Sequence, residues 1–433
     1  MKKIVLQIAF LFASATALLA QPIANDSVSL GTGYMNDIYY SFENGTVGTQ
    51  PGANWHIAFA TRPAAPPTNV LRSTTIIANE GRNVQIYKSN QYNFVGFDTT
   101  GYRSTIIDTN LRAWELMHNS DSSWDLGAFN ANLVKNDPFD FGWGAYNMTS
   151  HDVLSKGNVY LLRLTRTAQG RTIDSAFKLI KIDRLAFDTQ WVFQMANLNG
   201  SDSNQYTISK ASFNGKLFAY FDVVNKQVVN REPSAPWDLY FTRYGAFSTQ
   251  FGQTVFSTNT GALSHPAVLT ARVKGTPNDS AKIANAIFNN KITNIGTDWK
   301  INPGPGQPTF GIIDSNVYFA RLANNKQYRM VFKSFDGSSN GRIRFYKGVE
   351  TDFVGLLEAK NYQTVSVYPN PANAFVNVQV GSGNHTVVIF DITGKAHLSQ
   401  TATGTTAIDI TGLNRGLYFI QVDGSKAARL VVE

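Results

Sequence analysis

Cysteine is absent from this 433-residue chain. That excludes disulfides, thiolate metal sites, thiol nucleophiles and a lipid anchor on an N-terminal cysteine. Charge is sparse as well, with only 16% of residues charged. The net charge of +8 is spread over scattered Lys and Arg with no run of five or more, which argues against a nucleic-acid partner. Histidine occurs six times, so catalysis would fall to carboxylates or a Ser–His pair. The H-E-x-x-H, P-loop and paired-glycine dinucleotide signatures are all missing. Asp125, Asp137, Asp140 and Asp183 are acidic candidates, yet their spacing identifies no carboxylate pair for glycoside cleavage. A binding protein is expected rather than an enzyme.

Aromatics are abundant, with 29 Phe and 18 Tyr. Flat rings pack well on a pleated surface, so the composition points to an all-β protein. The length exceeds one ordinary core and implies two or three domains. At the N-terminus Met1-Lys2-Lys3 precedes an almost wholly apolar or small run over 4–19. Residues 1–20 therefore read as a signal peptide cleaved after Ala17 or Ala20, too short to anchor in a membrane. No other stretch is apolar enough for a transmembrane segment.

The other end carries short alternating strands separated by Gly, Asn and Asp turns, which predicts a small Ig-like antiparallel sandwich. It opens with Tyr368-Pro369-Asn370-Pro371, continues through Phe390-Asp391-Ile392-Thr393-Gly394-Lys395 and Gly416-Leu417-Tyr418-Phe419-Ile420-Gln421-Val422, and closes over 426–433. Residues 365–433 closely resemble the C-terminal sorting domain of the type IX secretion system of Bacteroidota. The resemblance implies recognition by that machinery, passage across the outer membrane, removal of the module and, often, attachment to surface lipopolysaccharide.

The region between repeats itself. Asn158-Val159-Tyr160-Leu161-Leu162-Arg163-Leu164 and Asn316-Val317-Tyr318-Phe319-Ala320-Arg321-Leu322 share the spelling N-V-Y-x-x-R-L. Two further alternating strands follow each. Upstream, Trp55-His56-Ile57-Ala58-Phe59 matches Trp237-Asp238-Leu239-Tyr240-Phe241, with the odd-numbered residues expected on one face. Two tandem β domains follow from this, over 21–200 and 201–350, with a boundary near Asn199-Gly200-Ser201-Asp202 and a linker over 351–364. Helix is expected only as short turns over 111–118, capped by Asp108 or Asn110, and over 280–288.

Before the first N-V-Y strand stands Trp143-Gly144-Ala145-Tyr146-Asn147-Met148-Thr149-Ser150-His151. With the paired tryptophan strands, this stretch resembles the HmuY family of haem-binding proteins, or haemophores. The resemblance implies two HmuY-like all-β domains, haem or porphyrin as ligand, and transfer to an outer-membrane TonB-dependent receptor. It also implies two axial side chains on the iron, one after the Trp and one before it. Haem iron accepts a neutral imidazole or a thioether, so the candidates are His151 and Met148 downstream and Met117 and His118 upstream. Trp114, Trp124, Trp143 and Tyr146 are the candidate pocket walls. His56, His265, His385 and His397 are set aside. The competing expectation is a surface adhesin or scaffold that binds protein or glycan through loops without haem. A carboxylate-dependent hydrolase is a third.

Overall fold

A computed structural model of the chain describes residues 24–433 except 66–69, 100–113, 169–170, 251, 278–279, 305, 351–365, 381–382, 392–394 and 424–426. The leader, the linker and the proposed cap at Asp108 or Asn110 lie outside the described residues. The described chain divides into a body within Ile23–Val349 and a tail within Glu350–Glu433.

Alternating apolar residues form strands throughout the body. The first are β1 (Ala24–Ser29), β2 (Asn36–Ser41), β3 (Gly45–Pro51), β4 (Ile57–Ala60), β5 (Ile76–Ala78), β6 (Val84–Lys88) and β7 (Glu115–Met117). Next come β8 (Gly144–Tyr146), β9 (Val153–Ser155), β10 (Tyr160–Ala168), β11 (Arg171–Ala186), β12 (Gln190–Asn197) and β13 (Asn204–Ser209). After them run β14 (Phe218–Asp222), β15 (Gln227–Val229), β16 (Leu239–Gln250), β17 (Gln253–Ser264) and β18 (Leu269–Val273). The body closes with β19 (Lys300–Ile301), β20 (Gly311–Ile312), β21 (Val317–Arg321), β22 (Gln327–Phe335) and β23 (Arg342–Val349). Among the described residues these strands pair antiparallel throughout.

The repeat is real in three dimensions, but the copies interleave. Lobe one combines a sheet of order β13-β12-β11-β10-β6-β7 with one of order β15-β14-β4-β5. Lobe two repeats the plan as β1-β23-β22-β21-β18 and β3-β2-β16-β17. The first three strands of the chain thus complete lobe two, while β13 to β15 complete lobe one. The expected domains over 21–200 and 201–350 are corrected accordingly. Apolar faces explain the exchange, since Ile38, Tyr40 and Phe42 bury with Leu239, Phe241 and Phe345, whereas Ile57 and Phe59 bury with Ala219 and Phe221. The Asn199–Asp202 segment is a hairpin turn inside one sheet, where the Asn197 N–H donates to the Ser201 carbonyl at 2.8 Å.

Two smaller expectations also change. Trp55 and Trp237 do not share a face with the residues two and four places on. They pack with Tyr39, Phe218, Tyr220 and Tyr240 in a separate aromatic cluster between the lobes, because the strands begin only at Ile57 and Leu239. Residues 115–117 form β7, which places Met117 opposite Ile86, and 280–288 contains only a short 3-10 turn at Ile283–Asn285.

Charged groups are sealed beside the aromatic cluster. Asp37, on β2 of lobe two, accepts from Arg231 Nη2 at 2.7 Å, Tyr240 Oη at 2.9 Å, Thr242 Oγ1 at 2.8 Å and Arg82 Nη2 at 3.2 Å. Arg231 and Arg82 belong to lobe one, so this carboxylate joins the lobes. The Arg231 side chain is fully buried. Removing one partner strands a charge where water cannot reach it. Arg231→Met is expected to cost about 3–5 kcal/mol, read as a lower denaturant midpoint for the body.

Lobe two holds a second unusual cation. Lys300 lies within 5.0 Å of the Trp299 ring centre and 4.9 Å of that of Phe335, and its ammonium donates to the Thr260 carbonyl. Ring faces offset part of the cost of burying it, yet burial still pushes its pKa down to about 7. The unfolded value is about 10.4. Between those values the unfolded chain holds a proton that the folded chain lacks, so stability rises with pH from about 7 to 10. In Lys300→Met that rise should flatten, as measured by Tm across the interval.

The tail is a small sandwich. Its strands are β24 (Ser366–Tyr368), β25 (Phe375–Gln379), β26 (His385–Asp391), β27 (Ala396–Ala402), β28 (Thr405–Asp409), β29 (Gly416–Val422) and β30 (Ala428–Val432). They form sheets of order β24-β25-β28 and β27-β26-β29-β30 around Val376, Val387, Ile389, Ile408, Ile420 and Leu430. Asn370 ties the opening turn to β30, donating to the Arg429 carbonyl at 2.7 Å and accepting from the Val431 N–H at 2.9 Å.

Candidate functional site

Most of the proposed haem residues are structural, and they do not gather around one cavity. Trp143 is buried against Trp191, and its indole N–H donates to the Thr74 carbonyl at 2.9 Å. Trp114 is buried with Phe94, Val159 and Leu161. Trp124 packs at the lobe junction and donates to the Ser264 carbonyl at 2.8 Å. Met117 sits in the lobe-one core, its sulfur 3.6 Å from Asn132 Nδ2. Met148 is exposed. The remaining candidates divide between two clefts, with Tyr146 and His151 on one and His118 on the other.

The first cleft, of about 480 Å³, opens on lobe one. Val70, Phe139, Phe141, Val153, Leu185 and Phe187 supply apolar walls, and Tyr146 and His151 supply polar edges. That volume suits a small organic ligand. The Tyr146 ring stacks on Phe139 at 6.0 Å, and its hydroxyl lies 2.9 Å from His151 Nδ1. This contact orients the imidazole and leaves Nε2 as the edge without a protein partner among the described residues. The loop carrying His151 is held by Asn147, whose side chain accepts from the N–H groups of Thr149 and Ser150, both at 2.9 Å.

Backbone strain concentrates here. His151 has φ 56°, and Phe187 and Asp188 have φ 47° and 56°. The last two form the tight turn joining β11 to β12, a setting that favours Gly, Asn or Asp. Phenylalanine at such a φ is an outlier. Yet its side chain is 65% exposed at the cleft rather than buried for packing. Surroundings hold the turn in place. The Phe187 N–H donates to Asp152 at 3.1 Å, and Asp188 accepts from the Ala64 N–H at 2.7 Å and from Lys210 Nζ at 2.6 Å. Burial pushes the Lys210 pKa down while Asp188 opposes the shift. Sequence reasoning passed over Phe187 and Asp188. The signal was there, in a Phe-Asp pair at a hairpin turn.

The second cleft, of about 300 Å³, lies where the β16–β17 hairpin of lobe two crosses lobe one. His118 Nδ1 is 2.9 Å from Glu80 Oε1, and its ring rests 3.9 Å from that of Phe256. Burial raises the Glu80 pKa against the lowering effect of His118.

The other histidines and acids have structural duties. His56 Nδ1 accepts from the Val223 N–H, as Asp238 accepts from the Phe42 N–H at the matching place in lobe two. His265 packs edge-on against Trp237, and burial pushes its pKa down to about 4. His385 and His397 pair with Asp423 and Asp391 in the tail. Asp125 pairs with Arg62, Asp137 accepts from the Phe139 N–H, Asp140 pairs with Lys156, and Asp183 binds Gln194. Among the described residues no group of three His, Asp or Glu converges as a metal site.

The tail matches a family model described as a secretion system C-terminal sorting domain, over residues 366–433. This is an exported protein. Its tail is the type IX secretion sorting domain, which marks delivery to the cell surface or the extracellular space. No curated protein matches the chain. Among the described residues no helix is long and apolar enough to cross a membrane. Deleting 366–433 should leave the exported body inside the outer membrane, scored by protease protection in intact cells.

Proposed function

We propose that the exported body works by binding rather than catalysis, and that the Phe139–His151–Phe187 cleft takes haem or a related porphyrin. The carrying observation is the cleft itself, an apolar space edged by one oriented imidazole and framed by strained backbone. Strain of this kind is retained where function requires it. Flat apolar walls exclude water from a macrocycle, and imidazole Nε2 is a suitable axial donor. When bound, haem would supply an iron centre open to axial ligation. His151 would hold it from one face, with Tyr146 fixing the ring. Met117 and His118 take no part in this reading, which revises the two-sided arrangement that the family resemblance implies. Surface delivery suits a protein that captures such a cargo for an outer-membrane receptor.

Titrating the exported protein with haemin tests the reading. A Soret shift is expected for the native chain, at least tenfold weaker binding for His151→Ala, and unchanged binding for His118→Ala and Met117→Ala. Phe187→Asn should raise stability by about 1 kcal/mol through relief of turn strain while weakening haemin binding. No shift for the native chain, or a shift that survives His151→Ala, defeats the proposal.

A surface adhesin is the second reading. The cleft at the β16–β17 hairpin favours it.

A further inference from the structure

Behind the lobe-one cleft lies a buried ammonium that reaches several of the segments that wall it. Lys210 follows β13, and its side chain is only 6% exposed. Its Nζ donates to Asp188 Oδ1 at 2.6 Å, to the Ser73 carbonyl at 2.8 Å and to the Arg62 carbonyl at 3.4 Å. Asp188 and Ser73 line the cleft, as does Ala64, whose N–H donates to the other Asp188 oxygen at 2.7 Å. The backbone N–H of Lys210 also donates to the Thr189 carbonyl at 2.8 Å, just past the strained Phe187–Asp188 turn. One residue therefore ties the 62–64 segment, Ser73 and the turn to one another. Arg62, the other cation packed here, is engaged with Asp125 at 2.5 Å.

Lobe two separates the structural part of this arrangement from the rest. Phe59 pairs with Ile76 and Phe241 with Ala262, so Thr74 and Thr260 hold equivalent places. Lys300 donates to the Thr260 carbonyl and lies 5.0 Å from the Trp299 ring centre. Lys210 donates to Ser73, the neighbour of Thr74, and lies 5.6 Å from the Trp191 ring centre. Each lobe thus caps the same strand end with a lysine set over a tryptophan. Capping alone needs no acid, for Lys300 has no carboxylate partner among the described residues. Lobe one adds a carboxylate and places it on the turn that carries Phe187. Backbone with Phe at φ 47° persists only where its surroundings hold it. The added acid supplies that hold, and the turn sets the exposed Phe187 ring at the cleft.

We propose that Lys210 is the positioning residue of this cleft, fixing the Phe187 wall through Asp188 so that a flat apolar ligand can pack on it. The inference rests on the porphyrin reading for its ligand but not for the clamp itself. The Lys210 ammonium stands behind the wall and does not meet the ligand. Its loss therefore acts through Phe187 and leaves the His151 edge in place.

Two measurements on the full exported protein test this, a haemin titration and hydrogen exchange over 186–189 without ligand. Asp188→Asn keeps the side-chain size and removes the charge. It should weaken haemin binding at least fivefold and speed that exchange at least tenfold, with the Soret position unchanged. Lys210→Met should do the same, and the double variant should lose no more than the weaker single, because the pair acts as one unit. Lys300→Met is the matched loss in lobe two, and it should leave both readouts at their native values. Native affinity or native exchange in Asp188→Asn overturns the proposal. So do additive losses in the double variant, or an equal effect of Lys300→Met. If the native chain gives no Soret shift, the porphyrin reading falls by itself, and the exchange rates decide this one.

Discussion

Asp37 is the hinge of the architecture in the energetic sense. A carboxylate buried between two β lobes is tolerable only because two guanidiniums, a phenol and a threonine hydroxyl converge on it. The aromatic cluster of Tyr39, Trp55, Tyr220, Trp237 and Tyr240 closes over this network and keeps water out. Glu232 extends it, accepting from the N–H groups of Leu217 and Phe218 and from the Tyr220 hydroxyl. With the lobes fixed to one another in this way, the β16–β17 hairpin has a defined surface to cross. The cleft at His118 is a by-product of that fixation.

Much of this was legible in the sequence. Period-two alternation located the strands, and the N-V-Y-x-x-R-L spelling marked equivalent positions, for Tyr160 and Tyr318 are both buried in matching sheets. The tail could be recognised because its proline-bracketed Asn370 has a structural duty that few other residues could meet. Pairing between strands far apart was not legible. Ile38-Tyr39-Tyr40 and Leu217-Phe218-Ala219-Tyr220 look equivalent, and nothing local says that each serves the other lobe.

The site was legible only in part. His151 and Tyr146 could be singled out by residue type, and the fold does set them on one cleft. Trp143 looked like a pocket wall because large aromatics line pockets, but the same property fills cores, and here the core claimed it. His118 was noticed for its metal-binding chemistry, while its actual partners, Glu80 and Phe256, arrive from 38 residues upstream and from the other lobe. Side-chain chemistry is local. Its use is decided by long-range pairing.

The strand exchange also imposes an order of events. β1 pairs with β23 in full register, from Ala24 opposite Lys347 to Ser29 opposite Arg342. A chain emerging from its amino end must therefore carry β1 without a partner until almost the whole body has appeared, and β2 paired only with β3 until β16 arrives. Such distant pairing is slow to form and leaves sticky edges open meanwhile. Neither half of the body's sequence contains a complete lobe. The sorting tail lies C-terminal to the last strand that completes the fold, so this sorting signal is present only on a chain whose body has every strand it needs.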